Sequence, residues 1–308
     1  MYRRWILSTF AILLSIFLAA CNTAITQQPP TKVTTSNEPT NIISQQLPKE
    51  TAKRVVTLSS LTADIISRLD QTKLVGITGS NLFKDDPRFQ DIPRVSEGQS
   101  QPNLEKIVAL KPDLVIGAEG FSNQPIQRLQ QLGIPTFLTQ VKKWESLEEL
   151  TQKLAELIDA DPQSLLNRYQ TFLADKPAQS PSTLVLVSRQ PILAPNKNSW
   201  AGDLLVKFQA KNLVAELQGN SPIGGYVTLS AEKVLEANPD VIIIVKPPQG
   251  GSDQEILESF NKEAFWQELQ AIKNNRVYAF DYYGLVNAGS IDAIEKVCRK
   301  LSQVLSTQ

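Results

Sequence analysis

Glu105-Lys-Ile-Val-Ala-Leu-Lys-Pro-Asp-Leu-Val-Ile116 returns 127 positions later as Glu232-Lys-Val-Leu-Glu-Ala-Asn-Pro-Asp-Val-Ile-Ile243. Glu, Lys, Pro and Asp match by identity, and the last three positions are apolar in both copies. Solenoid repeats run about 20–50 residues. A period this long points instead to two lobes of similar build, each holding one copy. The repeat also sets one glutamate at the same place in each lobe.

Working outward, strand and helix signals alternate around both copies. Lys53-Arg-Val-Val-Thr-Leu58 is a β-branched run, and Leu74-Val-Gly-Ile77 is a second strand. Between them Ile65, Ile66 and Leu69 share one helical face, with Thr62 as the expected N-cap. Asn103 caps a helix that Pro112 stops, ahead of a strand over Asp113–Gly117. Pro125–Leu132 is the next helix, with Gly133 as its C-terminal cap and a strand at Ile134–Leu138. Leu147, Leu150, Leu154, Leu157 and Ile158 mark a helix over 146–158, and Asp161-Pro162 opens another that runs to Asp175.

Beyond Lys176-Pro177-Ala-Gln-Ser-Pro181 the plan repeats. Strands are expected at Thr183–Val187, Val241–Val245 and Arg276–Phe280, and helices at Asp203–Phe208 and Leu229–Ala237. Phe260–Trp266 leads a further helix into Gln270, and Ile291–Leu305 forms the last one. Such alternation predicts an α/β fold with parallel sheets. Cys298 lies on the apolar stripe of that last helix and reads as a packed small hydrophobe.

At 308 residues and 42% hydrophobic content, the chain suits about two domains with substantial cores. Lys+Arg and Asp+Glu balance at 31 each, without a long basic run, which argues against a nucleic-acid partner. Histidine is absent, so Ser-His-Asp and Cys-His nucleophiles and the commonest zinc ligand are excluded. The cysteines, Cys21 and Cys298, lie in contexts too different for a disulfide framework.

The N-terminus accounts for Cys21. Arg3 and Arg4 precede an apolar stretch from Trp5 to Leu18, shorter than the roughly 20 residues a membrane span needs. Leu18-Ala19-Ala20-Cys21 then resembles a bacterial lipobox, in which cleavage leaves the cysteine as the lipidated first residue. The processed chain would carry 29 basic and 31 acidic residues, a net −2. The expected organisation is a signal peptide at 1–20, a Thr/Gln/Asn/Ser/Pro-rich flexible tether at 21–52, an N-terminal lobe at 53–142, a helical connector at 143–181 and a C-terminal lobe at 182–308.

From Arg54 onward the chain resembles the periplasmic substrate-binding proteins of ABC transporters, of the type whose lobes are joined by one rigid helix. That group includes receptors for ferric siderophores, haem and cobalamin. Asn103-Leu-Glu-Lys-Ile-Val-Ala-Leu-Lys-Pro-Asp-Leu-Val-Ile-Gly117 carries the resemblance most specifically, and Lys53-Arg-Val-Val-Thr-Leu-Ser-Ser60 matches the group's opening strand. The second connector helix is somewhat shorter than the group's usual one. The resemblance implies two Rossmann-like lobes joined by a single connecting helix, with the ligand cleft between them. It also implies that Glu105 and Glu232 dock against arginines of two membrane subunits. Two anionic points on one face suit a pseudo-twofold partner, although acidic residues are also favoured in a first helical turn by the macrodipole alone.

Open α/β sheets place their crevices at strand C-terminal ends. Counting from those ends gives Ser59, Ser60, Ser80, Asn81, Glu119 and Phe121 in the first lobe. In the second it gives Arg189, Trp200, Tyr226, Lys246, Tyr282 and Tyr283. Of these, Ser60, Asn81, Phe121, Arg189, Trp200, Tyr226, Lys246, Tyr282 and Tyr283 form the expected ligand set. Glu119 would repel an anionic chelate, Lys246 could equally be a solvated loop residue, and one of the paired tyrosines could be packed inside. Trp200 sits in the polar stretch Pro195-Asn-Lys-Asn-Ser-Trp200, which suggests an exposed cleft residue.

The reading is a membrane-anchored, extracytoplasmic receptor that hands a ferric siderophore or other ferric chelate to an ABC importer. Cobalamin is the competing ligand, since its site would rely on aromatic packing; Arg189 and Lys246 tip the balance toward an anionic iron chelate. The expected partners are the membrane subunits, the small-molecule chelate and, through the lipid, the membrane, with the protein itself monomeric and without a cofactor or bound metal of its own. A nucleotide-binding α/β enzyme is the remote alternative, but no Gly-x-Gly-x-x-Gly or phosphate-loop motif occurs. A purely structural envelope lipoprotein would leave the cleft residues unexplained.

Overall fold

The computed structural model describes residues 47–308 apart from 99, 178–180, 219–220, 222, 263 and 307–308. The signal peptide, Cys21 and most of the tether lie outside the described residues. The first lobe is built from β1 (Val55–Thr57), α1 (Ser60–Asp70), β2 (Leu74–Ile77), α2 (Leu104–Ala109), β3 (Leu114–Ala118), α3 (Asn123–Gln131) and β4 (Thr136–Thr139). Its strands form a parallel sheet in the order β2-β1-β3-β4. The N-cap of α1 is Ser59 rather than Thr62: the Ser59 hydroxyl accepts from Thr62 N at 3.3 Å, three residues earlier than the apolar periodicity suggested. Gly133, at φ +75°, ends α3 as expected, with Gly133 N and Ile134 N donating to the Gln130 and Leu129 carbonyls.

Two helices follow, α4 (Trp144–Ile158) and α5 (Gln163–Phe172). They pair in antiparallel sense, because Trp144 meets Phe172 while Thr151 hydrogen-bonds Tyr169 at 2.9 Å. The second lobe comprises β5 (Ser182–Leu186), β6 (Ser188–Arg189), β7 (Ile192–Pro195), α6 (Trp200–Lys207), β8 (Lys211–Asn212), β9 (Tyr226–Leu229), α7 (Ala231–Ala237), β10 (Val241–Lys246), α8 (Asp253–Asn261), α9 (Gln270–Lys273), β11 (Val277–Asp281), the single turn α10 (Tyr282–Leu285) and α11 (Ile291–Ser306). Its main sheet is parallel in the order β11-β10-β5-β8, and β6-β7-β9 form a small antiparallel sheet that the hydrophobic pattern did not predict. Leu229 belongs to β9, so α7 starts later than expected. Around Phe260 the chain makes α8, a 3-10 segment over Ala264–Glu268 and α9 instead of one helix.

Side chains on a strand alternate between faces. Val55, Ile116 and Phe137 of the first sheet, Leu154 and Tyr169 of the helical pair, and Val185, Ile243, Phe280 and Leu301 of the second lobe all belong to one buried cluster. Val56 and Val115 face a separate outer cluster with Ile107 and Leu129. Leu184, Leu186, Ile242 and Ile244 face another with Phe260 and Trp266. The inner faces of both sheets thus share a continuous apolar core, which joins the lobes as firmly as the interior of a single domain. Aromatic stacking reinforces that junction: the Trp144 and Trp200 rings lie 6.1 Å apart at 12°, and Asp203 of α6 accepts Trp144 N at 2.7 Å.

The repeated segment follows the same helix–strand plan in both lobes. Asn103 and Ser230 cap their helices through Lys106 N and Lys233 N. Lys111 and Asn238 then take positive φ, +47° and +38°, to end them. The aspartate after each proline ties down the start of the neighbouring strand. Asp113 accepts Lys53 N and Arg54 N at 2.8 and 2.9 Å, and Asp240 accepts Ser182 N and Ser182 Oγ at 2.9 and 2.7 Å. The Pro-Asp half of the repeat is therefore accounted for by the fold. The glutamates occupy the first helical turn, where the macrodipole favours them, and face solvent.

Candidate functional site

The C-terminal ends of the strands meet where the lobes face each other. A cavity of about 370 Å³ opens there, with Leu82 and Arg88 on the first-lobe side and Pro247, Tyr282, Tyr283 and Asp292 on the second. Gly284, at φ +92°, makes the turn after Tyr283; a side chain there would collide with the Ala293 carbonyl, 2.3 Å from the Cβ position. The two tyrosine rings stand edge-on, 5.4 Å apart, and Ser80 of the first lobe lies beside the Tyr283 hydroxyl. Tyr226, at the start of β9, lies within electrostatic reach of Tyr282. Burial, with a smaller effect from Tyr282, pushes the Tyr226 hydroxyl up to about 12, and burial likewise raises Tyr283. Both therefore stay protonated at neutral pH and offer packing surface and hydroxyl donors rather than phenolates.

The other expected residues separate into groups. Ser60 is half-buried in the first turn of α1, and Ser59 is engaged as its cap. Asn81 is exposed next to Leu82 but does not line the cavity, and Glu119 is exposed after β3. Phe121 is 80% exposed just beyond the end of that strand. Arg189 is half-buried on β6 and donates to Ser259 Oγ at 3.1 Å.

Two expectations are corrected. Trp200 is not a loop residue: Ser199 caps α6, Trp200 is its first residue, and the ring is 3% exposed with Nε1 donating to the Gly284 carbonyl at 2.8 Å. Lys246 is not a free cation for a ligand. Its ammonium meets Asp253 at 2.5 Å and Asp281 at 2.8 Å, and these contacts outweigh the lowering effect of burial to hold its pKa above the usual value.

Sequence reading missed the charged network that backs the cavity wall, whose buried centre is Asp64. This carboxylate is fully buried on α1 and accepts from Arg68 Nε at 3.0 Å, Arg88 Nη1 at 2.7 Å and Ile291 N at 2.7 Å. It thereby caps α11 of the opposite lobe. Asp292, in the first turn of α11, meets Arg68 at 2.7 Å and Arg168 of α5 at 2.6 Å, and Arg168 also pairs with Glu295. Burial raises the Asp292 pKa, but the arginines outweigh it and keep the carboxyl below the ordinary range. The same balance holds at Asp86 beside Arg88 and at Asp281 beside Lys246 and Lys296. The clue in the sequence was Asp64 itself, within Ala63-Asp64-Ile65-Ile66, since a carboxylate on a buried helical face must be paired.

Glu105 and Glu232 are both exposed, each in the first turn of its helix. Glu105 makes no ion pair among the described residues. Hydrogen bonds from its own backbone and from Ser230 lower the Glu232 pKa, leaving it charged at the surface.

Residues 55–283 match a family profile described as periplasmic binding protein. Among sequence relatives, the iron-uptake system-binding protein of Bacillus subtilis is 25% identical over 96% of this chain and 98% of its own length. The vitamin B12-binding protein of Salmonella typhimurium is 28% identical over 82% of this chain and 91% of its own. Among solved structures, a periplasmic binding protein from Veillonella parvula superposes with a TM-score of 0.71 at 16% identity, covering 83% of this chain and 92% of that one.

Proposed function

The chain belongs to the periplasmic binding protein family, the substrate-binding components of ABC transporters, and we propose that its cargo is an organic metal chelate of neutral or positive charge, with a ferric siderophore as the leading case. The observation that carries this is the self-neutralised crevice. Asp86, Asp281 and Asp292 line it against Arg88 and Lys296, and each carboxylate is already paired. With Lys246 also tied to two aspartates, the wall offers no surplus positive charge for a polyanionic ferric carboxylate. Iron would arrive inside its chelator, since the tyrosines are held protonated.

Cobalamin is the second reading, favoured by the aromatic surfaces of Phe121, Tyr226, Tyr282 and Tyr283, which suit a large flat ligand. The iron-uptake and vitamin B12-binding names of the relatives are consistent with either cargo. Glu105 and Glu232 are the proposed docking points for the importer's membrane subunits, and lipidated Cys21 is the proposed anchor that holds this extracytoplasmic protein at the membrane.

Calorimetric titration with a neutral ferric hydroxamate, a cationic ferrioxamine, ferric citrate, haem and cyanocobalamin tests the reading. Sub-micromolar binding of a hydroxamate, with ferric citrate at least about tenfold weaker, is expected; that ratio corresponds to roughly 1.4 kcal/mol. Preference for ferric citrate would refute the charge argument, and preference for cyanocobalamin would select the second reading.

A further inference from the structure

The two copies of the repeat have the same pattern of exposure as well as the same fold. Ile107 and Val234, two residues after each glutamate, are buried at 0% and 1%. The next residue outward is apolar in both copies and faces solvent: Val108 is 42% exposed and Leu235 is 38% exposed. Each lies three residues after its glutamate and so on the same helical face, one turn along. Single exposed hydrophobes are ordinary. Two of the eight large exposed hydrophobes among the described residues nevertheless fall on equivalent positions of one duplicated segment. Neither is needed inside, because Ile107 and Val234 already fill the inward position. Helix propensity does not explain Val108 either, since valine is a poor helix former.

We infer that Val108 and Leu235 are apolar contacts of the permease interface, so that each lobe presents its membrane subunit with a carboxylate and, one turn away, a hydrophobic side chain. This rests on the docking reading of Glu105 and Glu232. Magnitude decides why charge alone is insufficient. An exposed ion pair strengthens binding by about fivefold or less, and burying the still-exposed part of the apolar side chain beside it adds about three- to eightfold at each site. The glutamates set approach and register, and the apolar residues slow release. The partner this surface fits presents a basic side chain beside an apolar one, and presents that pair twice, as two like subunits do.

The test places the photo-crosslinker p-benzoylphenylalanine singly at positions 108, 235, 109 and 236 of the full-length protein, in the cells that make it, with adducts identified by mass spectrometry. Positions 109 and 236 report contact of the whole face. Adducts with ABC membrane subunits from 108 and 235 are expected, and the yield from 108 should fall about three- to eightfold when Leu235→Ser is added. Membrane-subunit adducts from 109 and 236 but not from 108 and 235, or a yield indifferent to Leu235→Ser, would overturn the inference and leave the docking reading intact. Adducts from no position, or only with unrelated proteins, would overturn both. Circular dichroism of each variant confirms that the fold is retained, as expected for sites this exposed.

Discussion

Replacing Asp64 by alanine removes the carboxylate that ties α1 to the N-terminus of α11. Breaking a buried ion pair from one side costs about 3–5 kcal/mol, because the remaining charge is stranded. Here the stranded charges are not fully buried: the Arg68 and Arg88 side chains are 19% and 28% exposed, and Arg88 keeps Asp86 at 2.6 Å. That places the ionic loss at or below the lower end of the range. Ile291 N then loses its acceptor in a buried setting, at about 1–3 kcal/mol. The contributions share one network and do not simply add. The expected total is about 3 kcal/mol. For a body of this size each kcal/mol shifts Tm by about 2–4 °C, so Asp64→Ala should melt about 6–12 °C lower. Asp64→Asn keeps a carbonyl acceptor for Ile291 N and should lose about half as much. Differential scanning calorimetry and urea unfolding measure both, and a shift below about 2 °C for Asp64→Ala would refute the assignment of Asp64 as the clamp.

Three further outcomes are expected. Asp86, Asp281 and Asp292 have folded-state pKa values below their unfolded ones. Their pairing therefore stabilises the protein above about pH 4 and is lost as pH falls through the folded values; a Tm series from pH 7 to 2.5 should drop steeply below about pH 4, less so in Asp292→Asn. Lys246→Met should change ligand affinity less than twofold while lowering the melting temperature, and a tenfold loss of affinity would return Lys246 to the ligand set. Phe121→Ala should weaken ligand binding by roughly five- to thirtyfold, about 1–2 kcal/mol, without affecting the melting temperature; unchanged affinity would mean that Phe121 serves another surface.

The parallel framework was legible because its signals are local. Leu74–Ile77 is a strand with the expected ends, Asn103 caps its helix, and the duplicated segment marks the equivalent strand in each lobe. What escaped depends on groups far apart in sequence. The two-residue strands β6 and β8 are too short to show a period. In Pro195-Asn-Lys-Asn-Ser-Trp200 the polar run conceals a helix cap, so the tryptophan reads as exposed from sequence although a carbonyl 84 residues away receives its N–H. Lys246 looked available because neither Asp253 nor Asp281 can be placed beside it from sequence. The charged wall was hidden for the same reason: α1, α5 and α11 converge only once the sheets have folded.

The stacked indoles have a consequence for how this receptor can be observed. Trp144, Trp200 and Trp266, the tryptophans among the described residues, are 3%, 3% and 1% exposed, and none lines the crevice cavity. Their emission therefore registers cargo only at a distance. A coloured chelate dims it by resonance energy transfer, whereas a colourless, metal-free chelator alters it only by shifting the helices that clasp the stack. Comparing metal-loaded and metal-free forms of one chelator by fluorescence thus separates occupancy from mechanical strain at the lobe junction, without attaching a label.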